Sequence, residues 1–161
     1  MHLIATVFGL GRLKPGPGTW GSLGALPLTY VLHLAGGPWA VLAGLIVVFA
    51  VGFPAARAEV AASGLEDPGH VVIDEVAGQM VALLPVTFGA AMMGAEVWRL
   101  WPGWVAAFLL FRLFDIWKPW LVGRMDRRGD VFGLMMDDVV AGVFAALVTI
   151  VLAGAAHGLL M

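Results

Sequence analysis

Apolar residues in this chain come in five long stretches, and the charged residues fall almost entirely between them. Residues 21–35 and 39–53 are two runs of about 15 residues separated by Gly36, Gly37 and Pro38, a break that predicts a helical hairpin. Each run is shorter than the ~20 residues a membrane crossing takes, so either flanking residues extend them or the hairpin is partly re-entrant. The first long polar interruption, 54–73, carries Arg57, Glu59, Glu66, Asp67, a turn at Pro68-Gly69 and His70, and it ends at Asp74-Glu75. Residues 76–98 then run for 23 positions with Glu96 as the one charge, long enough to span, with Pro85 marking a kink. Residues 101–111 continue apolar into a charged stretch, and 139–161 is again 23 residues, interrupted by His157. The pattern predicts an all-α fold, a polytopic membrane helical bundle of about five membrane helices. Residues 1–161 then form a single membrane-embedded domain.

Composition points the same way. At 61% hydrophobic, 12% charged and a mean hydropathy of +0.94, the chain lies outside the soluble range of roughly 45–50% apolar and about 25% charged. A formal charge of -2 offers no attraction for nucleic acid. With no cysteine there is no disulfide, zinc-thiolate site or cysteine nucleophile. The apolar start, 1–11, has Arg12 and Lys14 after it rather than before, the wrong order for a cleaved signal peptide.

Five spans place the N-terminus, the 54–75 loop and the 112–138 loop on one side. That side holds eight of the nine bases, all but Arg99, and ten of the eleven acids, all but Glu96. Excess Lys and Arg marks it as cytoplasmic. Trp39, Trp98, Trp101 and Trp104 then form an outer belt and Trp20, Trp117 and Trp120 an inner one. A site built from the carboxylates faces the cytoplasm.

Residues 111–142 concentrate five acids and five bases, and ionisable groups between apolar segments are read first as function. Two acidic doublets share one local form, VVIDEVAGQ and LMMDDVVAG. At a helix start the carboxylates meet the favourable end of the macrodipole. Ala77, Gly78, Ala141 and Gly142, one turn on, admit a second helix or a ligand. Asp74, Glu75, Asp137 and Asp138 together suit a hard divalent ion, Mg²⁺ above all, which keeps waters and leaves room for phosphate. The plainer alternative is two unrelated solvated helix caps. Arg112, Asp115 and Lys118 are spaced i, i+3, i+6 on the last turns of a helix stopped by Pro119, where the two bases either meet phosphate oxygens or snorkel to headgroups. Arg124, Arg127 and Arg128 read as contacts to anionic lipid. In PGPGTWGSL, Thr19 or Ser22 caps the first helix, or the glycine-rich turn cradles a phosphate. His2, His33 and His157 are scattered without partner spacing, and His70 reads as a loop residue.

Taken together, PGTWGSL at 17–23, VVIDEVAGQ at 71–79, FRLFDIWKPW at 111–120 and LMMDDVVAG at 134–142 resemble the phosphatidylglycerophosphatase A family of membrane lipid phosphatases. The resemblance runs in order over almost the whole chain. It implies Mg²⁺-dependent hydrolysis of the terminal phosphate of phosphatidylglycerophosphate, giving phosphatidylglycerol in phospholipid biosynthesis. It also implies a multi-pass protein of the bacterial inner membrane with a phospholipid substrate, and it points to no protein partner. The family's acidic motif positions fall on Asp74, Glu75, Asp115, Asp126, Asp137 and Asp138, and its basic ones on Arg112 and Lys118. Asp74, Glu75, Asp115 and Asp138 are thereby candidate catalytic residues, Asp74, Glu75, Asp137 and Asp138 candidate metal ligands, and Thr19, Arg112 and Lys118 candidate substrate contacts. Asp74 or Glu75 serves as general base for an in-line water. Two departures stand in the loop around Asp126: Leu121 where the family usually has a second proline, and Asp130-Val131 in place of a glycine pair. The rival readings are a small divalent-cation transporter, whose acids should spread along the spans, another metal-dependent lipid phosphotransferase, whose long Asp/Gly/Arg motif is missing, and a non-catalytic scaffold.

Overall fold

A computed structural model describes residues 1–160; Met161, the end of the stretch expected over 139–161, lies outside the described residues. Among the described residues there is no strand. A short helix α1 (His2–Ala5) and a 3-10 turn (Leu10–Arg12) lead into α2 (Pro17–Ser63). Then follow α3 (Ile73–Met92), a 3-10 turn (Val97–Leu100), α4 (Trp101–Trp117), a short α5 (Leu121–Asp126) and α6 (Val131–Leu160). Four helical segments are long and apolar enough to cross a membrane: Pro17–Ser63, Ile73–Met92, Val97–Trp117 and Val131–His157.

The expected hairpin is α2. Its backbone leaves helical geometry at Gly36 and Gly37, and the φ of +66° at Gly37 is one a side chain would resist. A Cβ on Gly21 would lie 2.8 Å from Val72 and one on Gly52 2.9 Å from Ile73, so both arms return to the start of α3. Flanking residues do extend the two apolar runs. The arms occupy 17–35 and 38–63, 19 and 26 residues, which at 1.5 Å per residue are about 28 and 39 Å long, enough to cross a bilayer core.

Element ends correct several expectations. Neither Thr19 nor Ser22 caps α2: the helix begins at Pro17, whose ring presets the first helical φ, with Gly16 in the left-handed region at the N-cap. Ser22 instead donates back to the Gly18 carbonyl at 2.8 Å. The stretch expected over 76–98 stops as a helix at Met92. The helix expected from Val139 begins eight residues earlier, at Val131, because Asp130 accepts from the Gly133 N–H at 2.7 Å and caps it. Asp137 and Asp138 therefore sit in its second turn, beyond the reach of the helix-start dipole that Asp74 and Glu75 enjoy. Lys118 is not on the last helical turn. It is the left-handed cap of α4 (φ 51°), since the residue before a proline is pushed out of the helical region.

Helix α3 is the centre of the bundle. Twelve of its twenty residues are buried, against two of seventeen in α4. Ala82, Leu83 and Val86 of α3 pack with Ala107 and Phe111 of α4 and Ala141 and Ala145 of α6. Val76 and Met80 pack between the arms of α2, against Ala25 and Val41. The crossing of α3 with α6 is made by glycines. A Cβ on Gly78 would sit 2.5 Å from the Asp138 carbonyl oxygen, and one on Gly142 would strike the Gly78 carbonyl. Close helix packing thus accounts for both glycines. The two helices run in the same direction there, so the residues one turn earlier, Asp74 and Asp138, meet at the same level.

Candidate functional site

The acids gather at the end of the bundle where α3 begins and α4 stops. Asp74 and Asp138 are buried, and one carboxylate oxygen each of Asp74, Glu75 and Asp138 lies within 4.8 Å of the others. Local bonds fix the side chains of Asp74 and Asp137. Asp74 Oδ1 accepts from the Glu75 N–H at 3.0 Å, and Asp137 Oδ1 accepts from the Asp138 N–H at 2.9 Å. The oxygens open on a cavity of about 100 Å³ lined by six carboxylates, Asp67, Asp74, Glu75, Asp115, Asp137 and Asp138, with Lys118 as the one base. Six carboxyl groups outnumber Lys118 and the Arg112 that pairs with Asp115, an excess of acidic groups that a bound cation would offset. Glu75 Oε2 is buried with no hydrogen-bond partner. An all-oxygen donor set with an unpartnered buried carboxylate oxygen fits a hard divalent cation.

Two bases border this cluster, each already holding an acid. Arg112, near the end of α4, pairs with Asp115 and lies 3.5 Å from Ser22 Oγ, while its buried Nε has no partner. Lys118 bridges Asp126 and Asp137, the latter at 3.0 Å. Burial alone would lower the Lys118 pKa, but the Asp126 and Asp137 carboxylates override it and hold the ammonium above its ordinary range. Its left-handed backbone, a conformation that costs a non-glycine residue about 1–2 kcal/mol, aims the side chain back toward α6.

Of the residues singled out by sequence, Asp74, Glu75, Asp115, Lys118, Asp137 and Asp138 line one cavity, and Arg112 adjoins it through Asp115. Asp137 is committed to Lys118, whereas Asp138 joins the three-carboxylate set. Thr19 does not line this cavity, and its hydroxyl makes no hydrogen bond within the described residues. The close approach in its motif is made by Gly18, where a Cβ would collide with Glu75 Oε1 and come within 3.2 Å of Arg112 Nη1. Sequence reasoning missed Asp67. Its signal was a carboxylate beside the Pro68-Gly69 turn, too common a pattern to single out. It also missed Gln79, which is fully buried one turn past Glu75 with both amide atoms unpartnered. A larger cleft, about 300 Å³, lies at the opposite end between Leu26, Pro27, Tyr30, Trp98, Trp101 and Trp104, and is lined by no carboxylate, imidazole or amine.

Comparison with known proteins covers most of the chain. The sequence profile of the family described as phosphatidylglycerophosphatase A matches residues 3–153. The chain is 35% identical over 150 residues to the phosphatidylglycerophosphatase A of Haemophilus influenzae, covering 92% of this chain and 85% of that one. It is 34% identical over 148 residues to the phosphatidylglycerophosphatase A of Escherichia coli, covering 90% and 78%. A Bacteroides thetaiotaomicron protein, provisionally named a phosphatidylinositol-3-phosphatase, is 37% identical over 147 residues, covering 89% and 87%. No solved structure matches.

Proposed function

The chain belongs to the phosphatidylglycerophosphatase A family, and from that premise we propose that it is a Mg²⁺-dependent hydrolase of the terminal phosphate of phosphatidylglycerophosphate. It is a phosphoric monoester hydrolase acting on a membrane lipid. The observation that carries the metal reading is the convergence of Asp74 and Glu75 from α3 with Asp138 from α6, more than 60 residues away in sequence. Those three carboxylates would hold the cation, which when bound supplies charge neutralisation and polarisation of the phosphoryl oxygens.

The chain's own groups then divide the remaining work. Arg112 gives up Asp115 and turns its planar fork to two oxygens of the terminal phosphate, while Lys118 contributes a point charge from the other side. Asp115, released from Arg112 and facing the cavity, accepts the proton of the attacking water. Asp74 and Glu75 are less suited to that role because they belong to the donor set. Asp137 keeps Lys118 aimed at the cavity. Lipid enters from the side of the bundle at the headgroup level, where Trp117 and Trp120 are exposed. The acids collect at one end of the bundle, which argues against an ion pathway along it.

The excess of basic residues on that side supports a site at the cytoplasmic face of a bacterial inner membrane. Cysteines at Gly64 and Arg128 should resist an impermeant thiol reagent in intact cells while one at Gly103 labels; labelling of the first two reverses the orientation. The activity itself is tested by phosphate release from purified protein, with and without Mg²⁺, on phosphatidylglycerophosphate and on phosphatidylinositol 3-phosphate. Faster release from the second lipid would transfer the assignment to the substrate class named for the Bacteroides relative.

A further inference from the structure

A second cluster, away from the acidic cavity, joins three parts of the chain that sequence left unconnected. Glu59, near the end of α2, accepts on a single oxygen, Oε2, from His2 Nδ1 at 3.0 Å and from His70 Nε2 at 2.8 Å. The two imidazole rings are tilted against each other with centroids 5.7 Å apart. One donor atom from each of the three residues lies within 4.8 Å of the others. In a tetrahedral zinc site with bonds of about 2.0–2.1 Å, donor atoms stand roughly 3.3 Å apart. Both separations to Glu59 are within half an ångström of that figure. The side chains of His2 and His70 are 42% and 35% exposed, so an ion can reach them from solvent, while Glu59 at 13% is held in place.

We propose that His2, Glu59 and His70 form a second metal site, selective for a nitrogen-seeking divalent cation such as Zn²⁺. Two imidazoles and one carboxylate are the donor set that borderline first-row cations prefer, unlike the all-oxygen set of the acidic cavity. Proton placement is compatible. Arg12 can only donate, and its guanidinium lies against His2 Nε2, so His2 carries its proton on Nδ1 and gives it to Glu59. Binding the cation moves that proton to Nε2 and the His70 proton from Nε2 to Nδ1, a tautomer change in both rings. The exposed Arg12 head then turns to water. The consequence is mechanical. Residue 70 lies in the loop between α2 and α3, which lines the acidic cavity through Asp67 and Gly69. A cation on these three ligands would pin that rim and the N-terminal segment to α2.

The test is titration of the detergent-purified protein with Co²⁺ or Zn²⁺ in excess Mg²⁺, followed by Co²⁺ visible absorption and calorimetry. One equivalent should bind. Affinity should fall at least about tenfold in His2→Gln, Glu59→Gln and His70→Ala, the loss that removing even an outer partner of a ligand causes, and should be unchanged in Asp74→Asn. Hydrogen exchange across residues 64–72 should slow on adding Zn²⁺ to the wild type and stay unchanged in Glu59→Gln. Absence of stoichiometric binding, wild-type affinity in all three ligand variants, or loss of binding in Asp74→Asn would overturn the site. Unaltered exchange in the zinc-loaded wild type would overturn the pinning.

Discussion

The two acidic doublets begin alike in sequence and end in different circumstances. Asp74 and Glu75 stand in the first turn of α3, the most buried helix, and both contribute to the three-carboxylate set. Asp137 and Asp138 stand in the second turn of α6, and they part company: Asp138 joins Asp74 and Glu75, while Asp137 bonds Lys118. Successive helical residues point about 100° apart, so one member of a doublet can face the crossing while the other faces the rim. The difference teaches that a repeated motif need not be a repeated role. What decides is the helix crossing one turn later, where Gly78 and Gly142 bring the backbones together.

This comparison can be broken or sharpened by mutation, and the largest effect is expected at the shared set. Asp74→Asn and Asp138→Asn should each remove several kcal/mol of transition-state stabilisation, about a thousandfold or more in kcat, with melting temperature nearly unchanged. A rate within about tenfold of wild type, a difference of only ~1.4 kcal/mol, would take that residue out of the set.

Next comes the base near the end of α4. Arg112→Lys keeps the charge and loses the fork, and should cost roughly 1.5–3 kcal/mol, tenfold to more than a hundredfold in kcat/KM. Lys118→Arg should cost less. Kinetics in neutral detergent micelles check both, and an unchanged kcat/KM for Arg112→Lys would show that the side chain serves bulk headgroups instead.

A smaller loss is expected for Asp137→Asn, roughly tenfold in kcat/KM, because only the aim of Lys118 is relaxed. Last are the glycines, whose effect falls on stability first. Gly78→Ala forces a Cβ to 2.5 Å from the Asp138 carbonyl, and overpacking of this kind costs about 1–3 kcal/mol. Gly89→Ala, on the same helix with nothing within 4 Å, should be neutral or slightly stabilising. Thermal melts of the pair that agree with each other would remove the crossing from the account.

The doublets, Asp115 and the bases were legible because charge is rare in this chain and each stands out against hydrocarbon. The hairpin was legible because two glycines and a proline interrupt an apolar run. The beginning of α6 was not, since Asp130 stands where the resembled family has glycine and supplies the cap that lengthens the helix. Lys118 caps α4 instead of lying on it because Pro119 constrains its neighbour, a constraint that i, i+3, i+6 spacing does not show. Asp137 looked equivalent to Asp138 because sequence does not give helix phase relative to a partner. His2, Glu59 and His70 were invisible as a group: they meet only after α2 folds back on itself and returns residue 59 to the N-terminal segment. Contacts set by a reversal of this length leave no local periodicity to read.

The central claim is that one carboxylate from each doublet, with Glu75, forms a single cation site, and that Asp137 stands outside it. The most direct test is phosphate release from phosphatidylglycerophosphate as a function of Mg²⁺ concentration, for wild type, Asp137→Asn and Asp138→Asn. The account predicts that Asp137→Asn turns over more slowly with the wild-type midpoint for Mg²⁺, and that Asp138→Asn shows no activation at any concentration. Equal shifts of the Mg²⁺ midpoint in both variants, or undiminished wild-type turnover in a chelator, would contradict it.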